Sequence, residues 1–136
     1  MPQYISKHFK IQELVPIAVY KARGEKAWEL LDDRALRTLD ELRSVFGKIV
    51  VNNWYWGGPR QWSGLRTEAS PFGSQYSQHR FGRAFDCIFY ETEVSFVRQF
   101  ILDNPHSFRE IRSVELETCW LHFDVRNCTP IKTYTP

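Results

Sequence analysis

The chain has little cysteine. Cys87, Cys119 and Cys128 are the only three among 136 residues, odd in number and without CxxC spacing. That excludes a disulfide framework and a thiolate zinc site, and predicts reduced, partly buried thiols acting as small hydrophobes. Long apolar runs are missing too. No stretch of the chain approaches the ~18 apolar residues that cross a bilayer, so no membrane partner is expected. Met1 to Lys10 is polar and lacks the apolar core of a secretory leader, which predicts a protein cytoplasmic at synthesis that leaves, if it leaves, by a route needing no leader. Nor is there an excess of charge of one sign. The net charge is +2 and the basic residues are scattered, which argues against a nucleic-acid partner. Repeats, low-complexity tracts and linkers are absent, so residues 1–136 are expected to form one domain, long enough to bury a core.

What the chain does have is the balance of a globular protein, 43% apolar and 25% charged residues. Aromatic content is high at 15%, with five Trp. Trp54, Trp56 and Trp62 crowd beside Gly57-Gly58-Pro59, where they either fill core or wall a ligand groove.

Residues 5–20 mix apolar and polar positions with Pro16 as a break, which predicts a short helical turn followed by a loop. Asp32 or Asp33 can cap a helix running to about Phe46, with Ala35, Leu39, Leu42 and Phe46 along one face and Gly47 ending it. Ile49 to Val51 reads as a strand. Residues 57–83, with five Gly and two Pro, read as a long irregular loop of the kind that carries function. Ala84 to Tyr90 is a second strand, and Thr92 is the expected cap of a helix bearing Val94, Val97 and Ile101 that Asn104-Pro105 stops. Ile111 to Leu116 and Trp120 to Val125 are two further strands around a turn at Glu117 to Cys119. The sum is an α+β domain with a small, mainly antiparallel sheet, helices on one face and a cleft on the other.

Strand alternation places candidate ligands on that second face. Phe85, Cys87 and Phe89 point one way and Asp86 the other; Leu121, Phe123 and Val125 point one way, while Trp120, His122 and Asp124 point the other. His79 lies seven residues before Asp86, across a turn at Gly82 that lets the chain fold back over the strand. Two imidazoles and one carboxylate, with no fourth protein ligand, suit a catalytic zinc whose open position holds a water.

Ser77-Gln78-His79-Arg80-Phe81-Gly82-Arg83-Ala84-Phe85-Asp86 matches SxHxxGxAxD, and Trp120-Leu121-His122 matches a later WxH. With Ser63-Gly64-Leu65-Arg66 ahead of them and Ser6-Lys7-His8-Phe9 near the start, these segments resemble the M15 family of zinc D,D-peptidases, which includes D-Ala-D-Ala carboxypeptidases and phage endolysins, over nearly the whole chain. The resemblance implies one zinc on His79, Asp86 and His122, Arg66 holding and polarising the substrate carbonyl, Ser77 contacting the peptide and Trp120 walling the cleft. It implies a cell-wall peptide as substrate, phage virion proteins as further partners, and water activated by zinc and a glutamate. The pattern departs at the base. Many members write ExWH, but Cys119 stands at that place. Glu115 and Glu117 both remain candidates, with Glu115 favoured because it closes the preceding strand. The departure also leaves a second reading, a non-catalytic phage structural or binding protein on the same zinc scaffold. His8 and His106 match no ligand position and read as surface residues.

Overall fold

A computed structural model describes residues 3–128 and 131–136. Pro16 does not break the N-terminal segment. After a 3-10 turn at Ile11–Glu13 it caps helix α1 (Ile17–Arg23), where the missing N–H of proline costs nothing because the first turn has no partner for it. The start of α1 thus falls where a loop was expected within residues 5–20, and a 3-10 stretch, Gly24–Leu30, follows it. Helix α2 (Asp33–Phe46) is capped by Asp32, whose Oδ1 accepts from the Arg34 N–H at 2.8 Å, and it ends at Gly47 with φ 87°. Its buried face carries Ala35, Leu36, Leu39, Leu42 and Phe46. Helix α3 (Val94–Asp103) buries Val97 and Ile101. Thr92 is not its cap. The cap residue is Glu93, and the Thr92 hydroxyl donates to the Phe46 carbonyl at 2.9 Å, tying the approach to α3 onto the end of α2.

The strands are β1 (Ile49–Val50), β2 (Ala84–Phe89), β3 (Ser113–Glu115), β4 (Leu121–Asp124) and β5 (Lys132–Tyr134). The sequence pattern made β1 to β4 longer, β2 by one residue at Tyr90, and it did not reveal β5. They form one sheet in the order β1-β2-β4-β3-β5, antiparallel except for the parallel pair β3–β5. The protein is therefore α+β with a mainly antiparallel sheet. Phe85, Cys87, Leu121, Phe123 and Val125 face the helices and join the buried faces of α2 and α3 in a common core. The opposite face of β2 and β4 carries Asp86, His122 and Asp124, and register makes Asp86 and His122 direct cross-strand partners. The irregular stretch before β2 is pinned to the rest: the Leu65 N–H bonds the Leu14 carbonyl at 2.9 Å, and the Asp86 N–H bonds the Ser63 carbonyl at 2.8 Å. No helix among the described residues is long and apolar enough to cross a membrane.

Candidate metal centre

His79 comes from a 3-10 turn, Gln78–Phe81, that the Ser77 hydroxyl caps by accepting from the His79 N–H at 3.3 Å. Gly82 ends the turn in the left-handed conformation, φ 68°, and a β-carbon there would run into the Leu30 carbonyl. The glycine thus does two things, reversing the chain and letting it lie against Leu30. His79 is thereby brought over β2, beside the cross-strand pair Asp86 and His122.

The three side chains converge. His79 Nε2 lies 3.3 Å from Asp86 Oδ1 and 3.3 Å from His122 Nδ1, and His122 Nδ1 lies 2.9 Å from Asp86 Oδ1. All three residues are buried, His79 with 2%, His122 with 5% and Asp86 with 8% of its surface exposed. Each has its remaining polar atom tied off. His79 Nδ1 is 2.9 Å from the Gly64 carbonyl, which can only accept, so Nδ1 carries the proton and Nε2 presents a lone pair. His122 Nε2 donates to Asp124 Oδ2 at 3.0 Å, leaving Nδ1 toward the cluster. Asp124 is fully buried and is also held by Arg126 through two bonds of 2.7 Å. Asp86 Oδ2 accepts from Arg66 at 3.1 Å. Three acceptor atoms thus aim at one point. Without a cation between them they repel, and with one they form a donor set, so His79, Asp86 and His122 can hold a metal ion.

Ionisation follows the same geometry. Burial of His79 outweighs the pull of Asp86 and lowers its pKa, keeping the ring neutral. Burial works against the charge on Asp86, but its pairing with the two histidines beside it prevails and holds its carboxyl well below the usual range. Burial also opposes protonation of His122, yet the hydrogen bonds to Asp124 and Asp86 overcome it and push its pKa up to about 9. In the metal-free protein a proton on His122 Nδ1 does part of the cation's work.

The cluster forms the floor of a cleft of about 570 Å³ that is also lined by Arg66, Ser77, Glu115, Trp120, Lys132 and Tyr134. A side hollow of about 310 Å³, with Trp62 and Phe72 in its wall, joins it at Arg66, Asp86 and Trp120. A third hollow, of about 530 Å³ and lined by Tyr4, Lys7, Arg37, Asp40 and Glu41, lies elsewhere; Asp40 there accepts from Tyr4, Ser6 and the Lys7 N–H.

Of the residues the resemblance places in the site or offers as its base, His79, Asp86, His122, Arg66, Ser77, Trp120 and Glu115 reach the main cleft and Glu117 does not. Glu115, at the end of β3, lines it half-buried. Glu117 is exposed in the following turn with φ 61°, outside the cleft. Cys119 is also exposed. Arg66 does more than line the cleft: its Nε donates to the Trp62 carbonyl at 2.6 Å and a terminal nitrogen holds Asp86. Of the clustered tryptophans, Trp54 donates to the Val15 carbonyl at 2.8 Å, Trp56 stands 58% exposed, and Trp62 alone reaches the side hollow.

Sequence reasoning did not assign a role to Asp124, Arg126, Gly64, Lys132 or Tyr134. Asp124 carried a signal, since an acid two residues after a strand histidine shares its face. The Gly64 carbonyl has no side-chain signature, and Tyr134 sits on a strand too short for periodicity to reveal. The chain matches no protein-family model, no curated protein and no solved structure.

Proposed function

We propose that this protein is a zinc peptidase that hydrolyses peptide bonds of bacterial peptidoglycan. The observation that carries the reading is the donor triangle of 3.3, 3.3 and 2.9 Å with every other polar atom of its members tied off. Ligands at zinc distances of roughly 2.0–2.1 Å in a tetrahedron stand about 3.3 Å apart, which these separations approach. Two imidazoles, one carboxylate and no fourth protein donor fit a catalytic zinc rather than a structural one. Bound there, zinc supplies Lewis acidity and a water acidified to a pKa of about 7.

The chain's own residues supply the rest. The Asp124–Arg126 pair and the Gly64 carbonyl hold the two imidazoles in the ligating tautomer. Arg66 orients Asp86 and presents its remaining N–H groups to the cleft, where a substrate carbonyl can accept. Glu115 is the one unpaired carboxylate in the cleft lining among the described residues. It takes the proton of the attacking water and returns it to the leaving amine. Ser77 and Trp120 line the groove along which the peptide would lie. The choice of a cell-wall peptide, and of an endolysin or particle-borne role, rests on the SxHxxGxAxD and WxH resemblance.

The test is incubation of purified protein with defined muropeptides, with and without chelator. Cleavage that chelator abolishes and zinc restores is expected. Protein that binds zinc but cleaves no wall peptide would favour the non-catalytic reading left open by Cys119.

A further inference from the structure

We infer that Tyr134 is a substrate-contacting residue, its phenol O–H donating to the oxygen of the reacting carbonyl in the metal cleft. The inference rests on the metal-centre reading above, and only one arm of its test depends on peptidase activity.

Tyr134 is the last residue of β5, and the parallel register sets it opposite Glu115 on β3. The Leu116 N–H bonds the Tyr134 carbonyl at 2.7 Å and locks that register. Partners in register share a face of the sheet, so both side chains emerge into the same cleft. The ring is gripped on two sides: it meets the His122 ring edge-on, 5.8 Å between centroids at 75°, and the Arg126 guanidinium lies 5.8 Å from its centroid. Arg126 is itself clamped to Asp124, so the ring's position is set by the same network that orients His122. Among the described residues the hydroxyl has no hydrogen-bond partner, although Glu115, Asp124 and Asp86 all lie within its electrostatic reach. A half-buried, well-held donor with nothing to donate to faces a cleft built around three acceptors.

The chemistry needs such a donor. When the water oxygen adds to the carbonyl carbon, the π pair moves to the carbonyl oxygen while the water proton passes to Glu115. That proton then reaches the amine nitrogen as the C–N bond breaks. The oxygen carries its extra charge between these events, and a fixed donor aimed at it lowers the barrier. Arg66 has already committed Nε and one terminal nitrogen to Trp62 and Asp86. Tyr134 has made no such commitment, and it donates without giving up its proton.

Tyr134→Phe keeps the ring and removes only the donor. In the zinc-loaded protein, kcat on a muropeptide should fall on the order of 10²-fold with KM within about threefold. Inorganic phosphate, a tetrahedral oxyanion, should bind the variant about tenfold more weakly by calorimetry, whereas imidazole, which has no oxygen to accept, should bind both proteins alike. Zinc content and melting temperature should be unchanged. Wild-type kcat and phosphate affinity in the variant would overturn the inference, and so would loss of zinc, which would make the hydroxyl a structural prop. Tyr134-dependent phosphate binding in a protein that cleaves no muropeptide would support the donor and overturn the peptidase reading alone.

Discussion

His122 is held at both ring nitrogens, so the partner on its far side controls what the near side can bind. Asp124→Asn keeps the shape and removes the charge that pairs with Arg126 and fixes the Nε2–H tautomer. Loss of such an outer partner typically costs 10–100-fold in metal affinity, and competition with a chromophoric chelator should report a weakening of that order. The two glutamates make a sharper pair, because their side chains are equal and their positions are not. Glu115 lines the cleft and Glu117 is exposed beyond it. Glu115→Gln should leave zinc bound while muropeptide turnover falls on the order of 10²–10⁴-fold, the range of general acid–base catalysis. Glu117→Gln should cost almost nothing in the same assay. Equal activity of both variants would remove Glu115 as the base.

Among the elements, the short turn that delivers His79 is the most exposed to a single substitution. Gly82 adopts φ 68°, and a β-carbon on it would strike the Leu30 carbonyl. Its own carbonyl also accepts from the Asp32 N–H at 2.9 Å, so the turn cannot swing aside without disturbing the start of α2. A left-handed conformation costs a residue with a β-carbon roughly 1–2 kcal/mol, and the clash adds to it. Gly82→Ala should therefore lower stability by more than about 1 kcal/mol in chemical denaturation and weaken metal binding at the same time. A variant that denatures like wild type and holds metal equally well would show that the turn relaxes without moving His79.

For the molecule as a whole, the proton on His122 and the metal compete for one place. With its folded-state pKa raised from 6.5 to about 9, His122 contributes stability that is fully present below about pH 6.5 and is lost as pH rises through about 9. The metal-free protein should thus melt at lower temperature at pH 9.5 than at pH 6.5. Metal binding must expel that proton. Affinity should rise at least tenfold per pH unit between 6.5 and 9, with at least one proton released per metal in that window by calorimetry in buffers of different ionisation enthalpy, and a zinc-bound water of pKa about 7 adding up to one more. His79 adds nothing there, because burial already keeps it neutral. Affinity independent of pH across the window would mean that His122 binds metal without first holding a proton.

The residues that carry chemistry were legible because chemistry leaves local marks. His79, Gly82 and Asp86 stand within eight positions of one another, and alternation alone put Asp86 and His122 on the face away from Phe85 and Phe123. The same local rules found α2, whose apolar spacing and Asp32 cap are properties of a continuous segment. Pro16 and Thr92 misled because their neighbours could be satisfied in two ways, and distant packing chose: Pro16 begins α1, and Thr92 bonds the end of α2. β5 is three residues long, too short to show a period, and forms only because β3 offers it an edge. Its side chain in the cleft, Tyr134, meets His122 across 12 residues of chain, and the Gly64 carbonyl that sets the tautomer of His79 reaches it across 15. The sequence by itself determined which atoms could bind a metal. Only the tertiary structure decided which partners hold them, because a hydrogen bond between remote segments depends on where the chain returns and on no pattern within either segment.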